Sequence, residues 1–253
     1  MGERADQYAT DINLGARQRL WLSSRREPPF SLYSWVIGLA RLQGHEAVLD
    51  VGCGNGVYLE LVEAVGLDSS LGMLAAARTR SEGPLVAADA TRLPFATGVF
   101  DVVLASHMLY HVDDRPRAIL ELRRVLEPEG VLIAVTNGSD NHPELVQLVE
   151  GAVGGGWVWR RPSDVAFSLQ NGREQLLVGF GQVDLVTCPS GTVHVTDADA
   201  LADYVRSVGD IYEGEIDRSW DEVVAACAAR AAEIIAAEGA FRISTSVGAF
   251  VCH

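Results

Sequence analysis

The tightest constraint in this chain is the stretch "LDVGCGNGVY", residues 49–58. An apolar run, Ala47–Val51, carries Asp50 near its end and passes directly into glycines at 52, 54 and 56. A short apolar run stopped by glycines reads as a buried strand followed by a tight turn. Glycines at alternate positions permit positive φ and a close approach of other atoms to the backbone. Val57–Ala64 then reads as a short helix, so the local order is strand, glycine turn, helix. A helix starting there directs free N–H groups and the positive end of its dipole at whatever lies over the turn, which favours an anionic group.

The same texture recurs downstream. Apolar runs at Val65–Leu67, Leu85–Ala88, Phe100–Ala105, Gly130–Thr136, Gln182–Thr187 and Ser244–Cys252 read as strands, the first two of them followed by Asp68 and Asp89. Between them, Ser70–Arg80, Arg115–Leu126 and Arg173–Phe180 read as helices; Ile119, Leu122, Val125 and Leu126 mark one apolar face. The runs lack period-2 alternation, as parallel strands buried on both faces should. Strands alternating with helices predict an α/β fold built from βαβ crossovers. Upstream, residues 1–25 read as an amphipathic helix with Tyr8, Ile12, Leu14, Leu20, Trp21 and Leu22, ended by Pro28-Pro29. A second helix is expected over Ser31–Leu42. After Thr136 the rhythm breaks. Asn137–Ser168 reads as an irregular insertion with a helix near Pro143–Gly151, and helices are expected over Thr196–Gly209 and Arg218–Glu238.

Composition narrows the partners. The 253 residues carry 20 Lys plus Arg against 34 Asp plus Glu, a net charge of −14. Such a chain repels phosphate backbones, so no nucleic-acid partner is expected. The small basic pairs Arg25-Arg26 and Arg123-Arg124 read as solvated helix ends. Cys53, Cys188, Cys227 and Cys252 have neither metal-ligand spacing nor a disulfide framework. Reduced thiols in a cytoplasmic protein, without a metal, are the expectation. The segment "MGERADQYATD" shows no apolar signal-peptide core, and no run approaches the ~20 apolar residues of a membrane span. No membrane partner is expected.

The glycine spacing separates two cofactor classes. A dinucleotide fingerprint is G-x-G-x-x-G, whereas here the pattern is Gly52-x-Gly54-x-Gly56, with Val57 at the sixth position. Asp50 would repel a pyrophosphate and attract an ammonium or sulfonium. Together with "VGLDSS", "AADATRLPFATGVFDVV", "SHMLYHV" and "RRVLEPEGVLIAVT", this stretch resembles the class I, Rossmann-like, S-adenosylmethionine-dependent methyltransferases of small-molecule type. The resemblance covers about Ala47–Asn137. One departure is that the segment from Asp50 to Asp68 is several residues shorter than is usual in that family.

The resemblance implies a three-layer α/β/α sandwich whose seven-stranded, mostly parallel sheet has the order 3-2-1-4-5-7-6, the last strand antiparallel. It implies an N-terminal helical cover over 1–45 and a methyltransferase domain over 46–253, with insertions at about 137–181 and 189–243, as a single structural unit. It implies S-adenosylmethionine as cofactor, with S-adenosylhomocysteine as its product. Asp68 is then the ribose acid, with helix capping as its plainer alternative, and Asp89 the acceptor for the adenine amino group, with capping of the Thr91 turn as its alternative. Met73 and Leu93 are placed to sandwich adenine or else are plain core. Tyr8, Asp50, Gly52, Cys53, Gly54, Asn55, Gly56, Ser69, Ala90 and Ser106 complete the cofactor set. His107 and His111 are the candidate bases, since imidazole titrates near neutrality. Trp157 and Trp159, with Tyr33 and Trp35, are candidate walls of an apolar acceptor pocket, and Arg206 a candidate partner for an acidic acceptor group. The expected activity is methyl transfer to a small metabolite or natural product by a monomer or homodimer. The alternatives are a non-methylating reaction such as cyclisation on the same fold, or a cofactor-binding scaffold.

Overall fold

The computed structural model describes residues 8–212 and 215–253. The chain divides into two compact units. One comprises residues 31–140, 161–188 and 246–253, and the other residues 1–30, 141–160 and 189–245.

In the larger unit the elements run α1 (Leu32–Ala40), β1 (Val48–Val51), β2 (Val65–Asp68), α2 (Leu71–Ala77), β3 (Leu85–Ala87), β4 (Phe100–Ser106), α3 (Arg115–Val125), β5 (Leu126–Asn137), α4 (Pro162–Val165), α5 (Gly172–Leu176), β6 (Val183–Thr187) and β7 (Val247–Cys252). The strands form one sheet in the order β3-β2-β1-β4-β5-β7-β6. The pairings β3–β2, β2–β1, β1–β4 and β4–β5 are parallel, and β7 is antiparallel to both neighbours. This is the expected α/β architecture and strand order.

The missing alternation in the sequence has a direct cause: the strands do alternate, but both faces are covered. Leu49 and Val51 of β1, Val103 and Ala105 of β4, and Leu132 and Ala134 of β5 pack into one core with Ile119, Leu122 and Val125 of α3. Their neighbours Val48, Val102, Leu104, Ile133 and Val135 pack into a second core with Val36 of α1 and Leu74 and Ala77 of α2. Successive strand residues thus point to opposite apolar layers.

Two boundaries differ from expectation. No α-helix follows the glycine turn; only a 3₁₀ turn, Tyr58–Glu60, lies between β1 and β2. The link Gly52–Ala64 must make the glycine turn and also return along the sheet to start β2, which leaves too little chain for a helix. Without a helix there is no macrodipole, so the anion-attracting helix end expected over the turn is absent. Ser244–Cys252 is not one strand either. Phe241–Thr245 pairs in the other unit, and β7 begins at Val247.

The other unit is built on a three-stranded antiparallel sheet, Arg25–Glu27, Gly191–Val195 and Phe241–Thr245 in that order. Among the described residues four α-helices accompany it: Ile12–Ser23, Pro143–Val153, Ala198–Arg206 and Trp220–Glu238. Leu20, Val149, Val193, Val205, Cys227 and Ile243 share its core. The first seven residues of the helix expected over 1–25 lie outside the described residues. Ser219 begins the longest helix with a capping box: Glu222 N–H donates to its hydroxyl at 3.3 Å, and its own N–H donates to the Glu222 carboxylate at 3.1 Å. Among the described residues no helix is long and apolar enough to cross a membrane, and no cluster of His, Cys, Asp or Glu could hold a metal. The four cysteines are buried and unbridged.

Gly56 tests how firmly the turn is seated. Its φ is +82°, and an added Cβ would stand 3.0 Å from the Ala77 backbone and side chain. Gly56→Ala should lower stability by about 2 kcal/mol or more, from backbone strain together with overpacking. A denaturant midpoint that does not move would show that the turn can relax away from α2.

Candidate functional site

Parallel α/β sheets open a crevice beyond the carboxyl ends of their strands, where the strand order reverses. In the larger unit that point lies between β1 and β4, with Asp50 paired to Leu104 across it. The glycine turn leaves β1 here. The N–H groups of Gly52 and Cys53 both donate to the Leu67 carbonyl, at 2.7 and 3.0 Å, and Gly56 N–H donates to the Cys53 carbonyl at 2.9 Å. Gly52, Gly54 and Gly56 all have positive φ. At Gly52 a Cβ would meet the Met108 side chain at 2.7 Å. The chain's own atoms therefore already exclude side chains at 52 and 56, whether or not a ligand sits over the turn.

Asp68 ends β2 with both carboxylate oxygens engaged. Oδ2 accepts from Gly54 N–H and Oδ1 from Ser70 N–H, each at 2.9 Å. Ser70, not Asp68, caps α2 by accepting from Met73 N–H at 3.1 Å. Burial raises the Asp68 carboxyl while the hydrogen bonds from Ser70, Gly54 and Ser69 hold it down. A carboxylate has about four lone-pair sites, so acceptor capacity for a diol remains.

Asp50 is the opposite case. It is 1% exposed, and neither carboxylate oxygen has a hydrogen-bond partner. Burial, with the Asp68 charge adding to it, pushes its carboxyl up to about 7. Cys53 and Tyr58 both feel its charge, and both are themselves raised, chiefly by burial. The Tyr58 hydroxyl approaches that of Ser106 without reaching hydrogen-bond geometry. A buried carboxylate left unpaired is costly, and what it lacks is a donor, above all a cationic one.

The remaining predicted residues spread around this end of the sheet. Cys53, Asn55, Met73, Ala90 and Leu93 are buried; Ser69 is exposed. Asp89 is exposed, and its Oδ1 accepts from both the N–H and the hydroxyl of Thr91 at 2.7 Å, the capping role named as its alternative. Ser106 ends β4. His107 follows it with φ +55°, in the left-handed region that a non-glycine residue rarely adopts. Its N–H donates to the Val135 carbonyl at 2.9 Å. Burial lowers its imidazole to about 4, so titration near neutrality is not met: the ring is neutral at physiological pH and a weak base. His111 closes the 3₁₀ turn Leu109–His111, its ring centroid 4.5 Å from that of Tyr110.

Tyr8 belongs to the other unit, where the Arg17 guanidinium stands over its ring at 5.3 Å. Trp157 and Trp159 are also there, edge-on to Tyr212 at 5.6 and 6.2 Å. Tyr33 and Trp35 lie in the larger unit, Tyr33 edge-on to Tyr58 at 5.3 Å. Arg206 pairs with Asp203 at 2.6 Å.

Arg123 and Arg124 do stand in the last turn of α3, as expected, but they are bonded to the protein rather than merely solvated. Arg123 donates to the carbonyls of Leu126, Glu127 and Pro128. Arg124 joins Glu121 and the backbone at 93 and 95. Glu121 went unnoticed, though a signal existed: it occupies a core-facing position among Ala118, Leu122 and Val125 of α3.

Residues 49–134 match the family model described as "Methyltransferase domain". The chain is 38% identical over 138 residues to a demethylmenaquinone methyltransferase of Mycolicibacterium vanbaalenii, covering 53% of this chain and 55% of that one. It is 38% identical over 109 residues to a malonyl-[acyl-carrier protein] O-methyltransferase of Legionella pneumophila, covering 39% and 38%. The chain thus spans about half the length, or less, of these curated relatives. Among solved structures it resembles an S-adenosylmethionine-dependent methyltransferase of Thermotoga maritima, with a TM-score of 0.56 and 15% identity over 98% of both chains. It also resembles the [4+2]-cyclase SpnF, with a TM-score of 0.52 and 21% identity over 87% of this chain and 80% of the other. At those identities the structural likeness concerns the fold.

Asp50 gives a measurable consequence. Its folded-state carboxyl is raised, so its contribution to stability is fully present below about 4 and is lost as pH rises through about 7. The shift corresponds to about 4 kcal/mol. Asp50→Asn should therefore stabilise the ligand-free protein by up to that amount at pH 8 and far less at pH 5. Denaturant unfolding at the two pH values checks it; an equal effect at both would show that Asp50 does not carry the shift.

Proposed function

We propose that the chain is a class I S-adenosylmethionine-dependent methyltransferase that transfers a methyl group to a small-molecule acceptor, a reading supported by the match of residues 49–134 to a methyltransferase-domain model. One observation carries the reading: the buried Asp50 carboxylate, unpaired at the switch point of the sheet, suits the ammonium of an amino-acid-like cofactor and would repel a diphosphate. In this proposal the lone pairs left on Asp68 accept from the ribose hydroxyls. Asp89 Oδ2 accepts from the adenine amino group, and Met73 and Leu93 flank the adenine. Backbone groups of Gly52, Gly54 and Gly56 face the methionine end. Cys53, Asn55, Ser69, Ala90 and Ser106 complete the cofactor set within the larger unit.

When bound, the cofactor supplies an electrophilic methyl group on a sulfonium. The chain's part is to hold an acceptor in line with that group and to exclude water; such alignment supplies ~7–11 kcal/mol in favourable cases. His107, kept neutral by burial, accepts a hydrogen bond from an acceptor O–H or N–H and orients it. It takes up the proton only when the acceptor is itself acidic. His111 is the second candidate for that task. The net charge of −14 favours a metabolite or natural product over nucleic acid. A cytoplasmic monomer or homodimer completes the reading.

Calorimetry with S-adenosylhomocysteine tests the cofactor assignment. Wild-type protein should bind it, and Asp68→Ala should bind at least 100-fold more weakly; unchanged affinity in the variant would remove the ribose role. Mass spectrometry after incubation with methyl-labelled cofactor and a metabolite panel tests the chemistry. Methylation adds one CH₂ to the product, whereas a product of unchanged mass would favour cyclisation.

A further inference from the structure

The segment from Asp89 to Phe95 has no regular secondary structure, yet Ala90 and Leu93 are buried. A buried irregular segment must satisfy its backbone groups somewhere, and here it does so on the side chains of one helix. Leu93 N–H donates to Glu121 Oε2 at 2.9 Å. Arg124 donates to the Leu93 carbonyl at 3.1 Å and to the Phe95 carbonyl at 2.8 Å. Arg117 donates to the Thr91 carbonyl at 3.3 Å. Residues 117, 121 and 124 follow the i, i+4, i+7 spacing of a single face of α3.

The three are also coupled to one another. Arg124 engages both oxygens of Glu121, at 2.8 and 2.7 Å, and Arg117 lies 3.7 Å from Glu121 Oε1. The Glu121 side chain is only 8% exposed, and the Arg124 hydrogen bonds hold its carboxyl below the usual range. A buried ion pair is a poor source of stability compared with apolar packing of the same volume. What this one does supply is direction: it fixes the carbonyls and the N–H of residues 91–95 at set points along α3. At the other end, Asp89 Oδ1 holds Thr91.

We propose that Glu121, acting through Arg124 and with Arg117, is the positioning residue that sets the adenine-recognising segment Asp89–Leu93 and thereby the preference for adenine over other purines. The inference rests on the methyltransferase reading, since it takes this segment as the adenine wall. Glu121 touches the wall's backbone, and Asp89 and Leu93 would touch the base.

The test compares calorimetric affinities for S-adenosylhomocysteine and for its 6-oxo counterpart, S-inosylhomocysteine, with melting temperatures recorded in parallel. Wild-type protein should prefer the adenine compound by tenfold or more. Glu121→Ala should bring the two affinities to within about threefold of each other. Glu121→Gln, which keeps an oxygen for the Leu93 N–H, should retain most of the preference. A merely structural role would weaken both ligands equally and leave their ratio intact; that outcome in folded Glu121→Ala overturns the proposal. If Glu121→Ala does not fold, Arg117→Ala at its more exposed position should reduce the ratio two- to threefold, and an unchanged ratio there overturns the proposal. A wild-type protein that binds both compounds equally overturns the positioning role alone. One that binds neither overturns the methyltransferase reading and this proposal with it.

Discussion

The site depends on how the glycine turn is stitched to the end of β2. One carbonyl, that of Leu67, takes the N–H groups of Gly52 and Cys53, and one carboxylate, that of Asp68, takes those of Gly54 and Ser70. The turn and the start of α2 are thereby pinned to the same strand end. The positive φ values of the turn follow from that geometry, and glycine is the residue that adopts them without strain. Met108 and Ala77 then close against the bare backbone at 52 and 56. The alternating glycines are as much a condition of folding as of ligand approach.

Against this fully bonded frame, Asp50 stands out by its lack of partners. The contrast between the two acids is one of supply. Asp68 lies where backbone N–H groups converge, whereas Asp50, deeper and between strands, feels the Asp68 charge and acts in turn on Cys53 and Tyr58. None of them brings positive charge. A fold optimised for stability alone would place an apolar side chain or an amide there; sites that keep such a group trade stability for function. The short 3₁₀ link sharpens the point, because with no helix end over the turn the attraction for a charged guest falls to side chains.

The main sheet was legible in the sequence because buried parallel strands leave dense apolar runs at Val48–Val51, Val65–Asp68 and Phe100–Ser106. Their order was another matter: periodicity cannot supply it, and it came with the family resemblance. The three-stranded sheet left no readable trace. Arg25–Glu27 is too short to carry a pattern, and its partner Gly191–Val195 is remote in sequence. Ser244–Cys252 looked continuous because nothing in its composition marks Ser246 as the point where the chain passes from one sheet to another. The acids at 50, 68 and 89 were found by their places at strand ends, yet only the structure shows which of their oxygens are occupied. Glu121 was passed over because a carboxylate on a helix is normally taken as solvent-facing, although its place among Ala118, Leu122 and Val125 put it on the core face. The depressed His107 imidazole could not be foreseen, because burial is a tertiary property.

The place of β7 in the sheet has a consequence for how the molecule is made. Val183–Thr187 has no strand beside it until Val247–Cys252 is available to lie between it and β5. Residues 189–245, about half of the other unit, are translated in that interval. For that time β5 has an open edge, a surface prone to pairing with the wrong neighbour. Emergence from the ribosome and completion of the sheet are therefore decoupled, and the nascent chain has to be kept from sticking to its own kind until its late strand arrives.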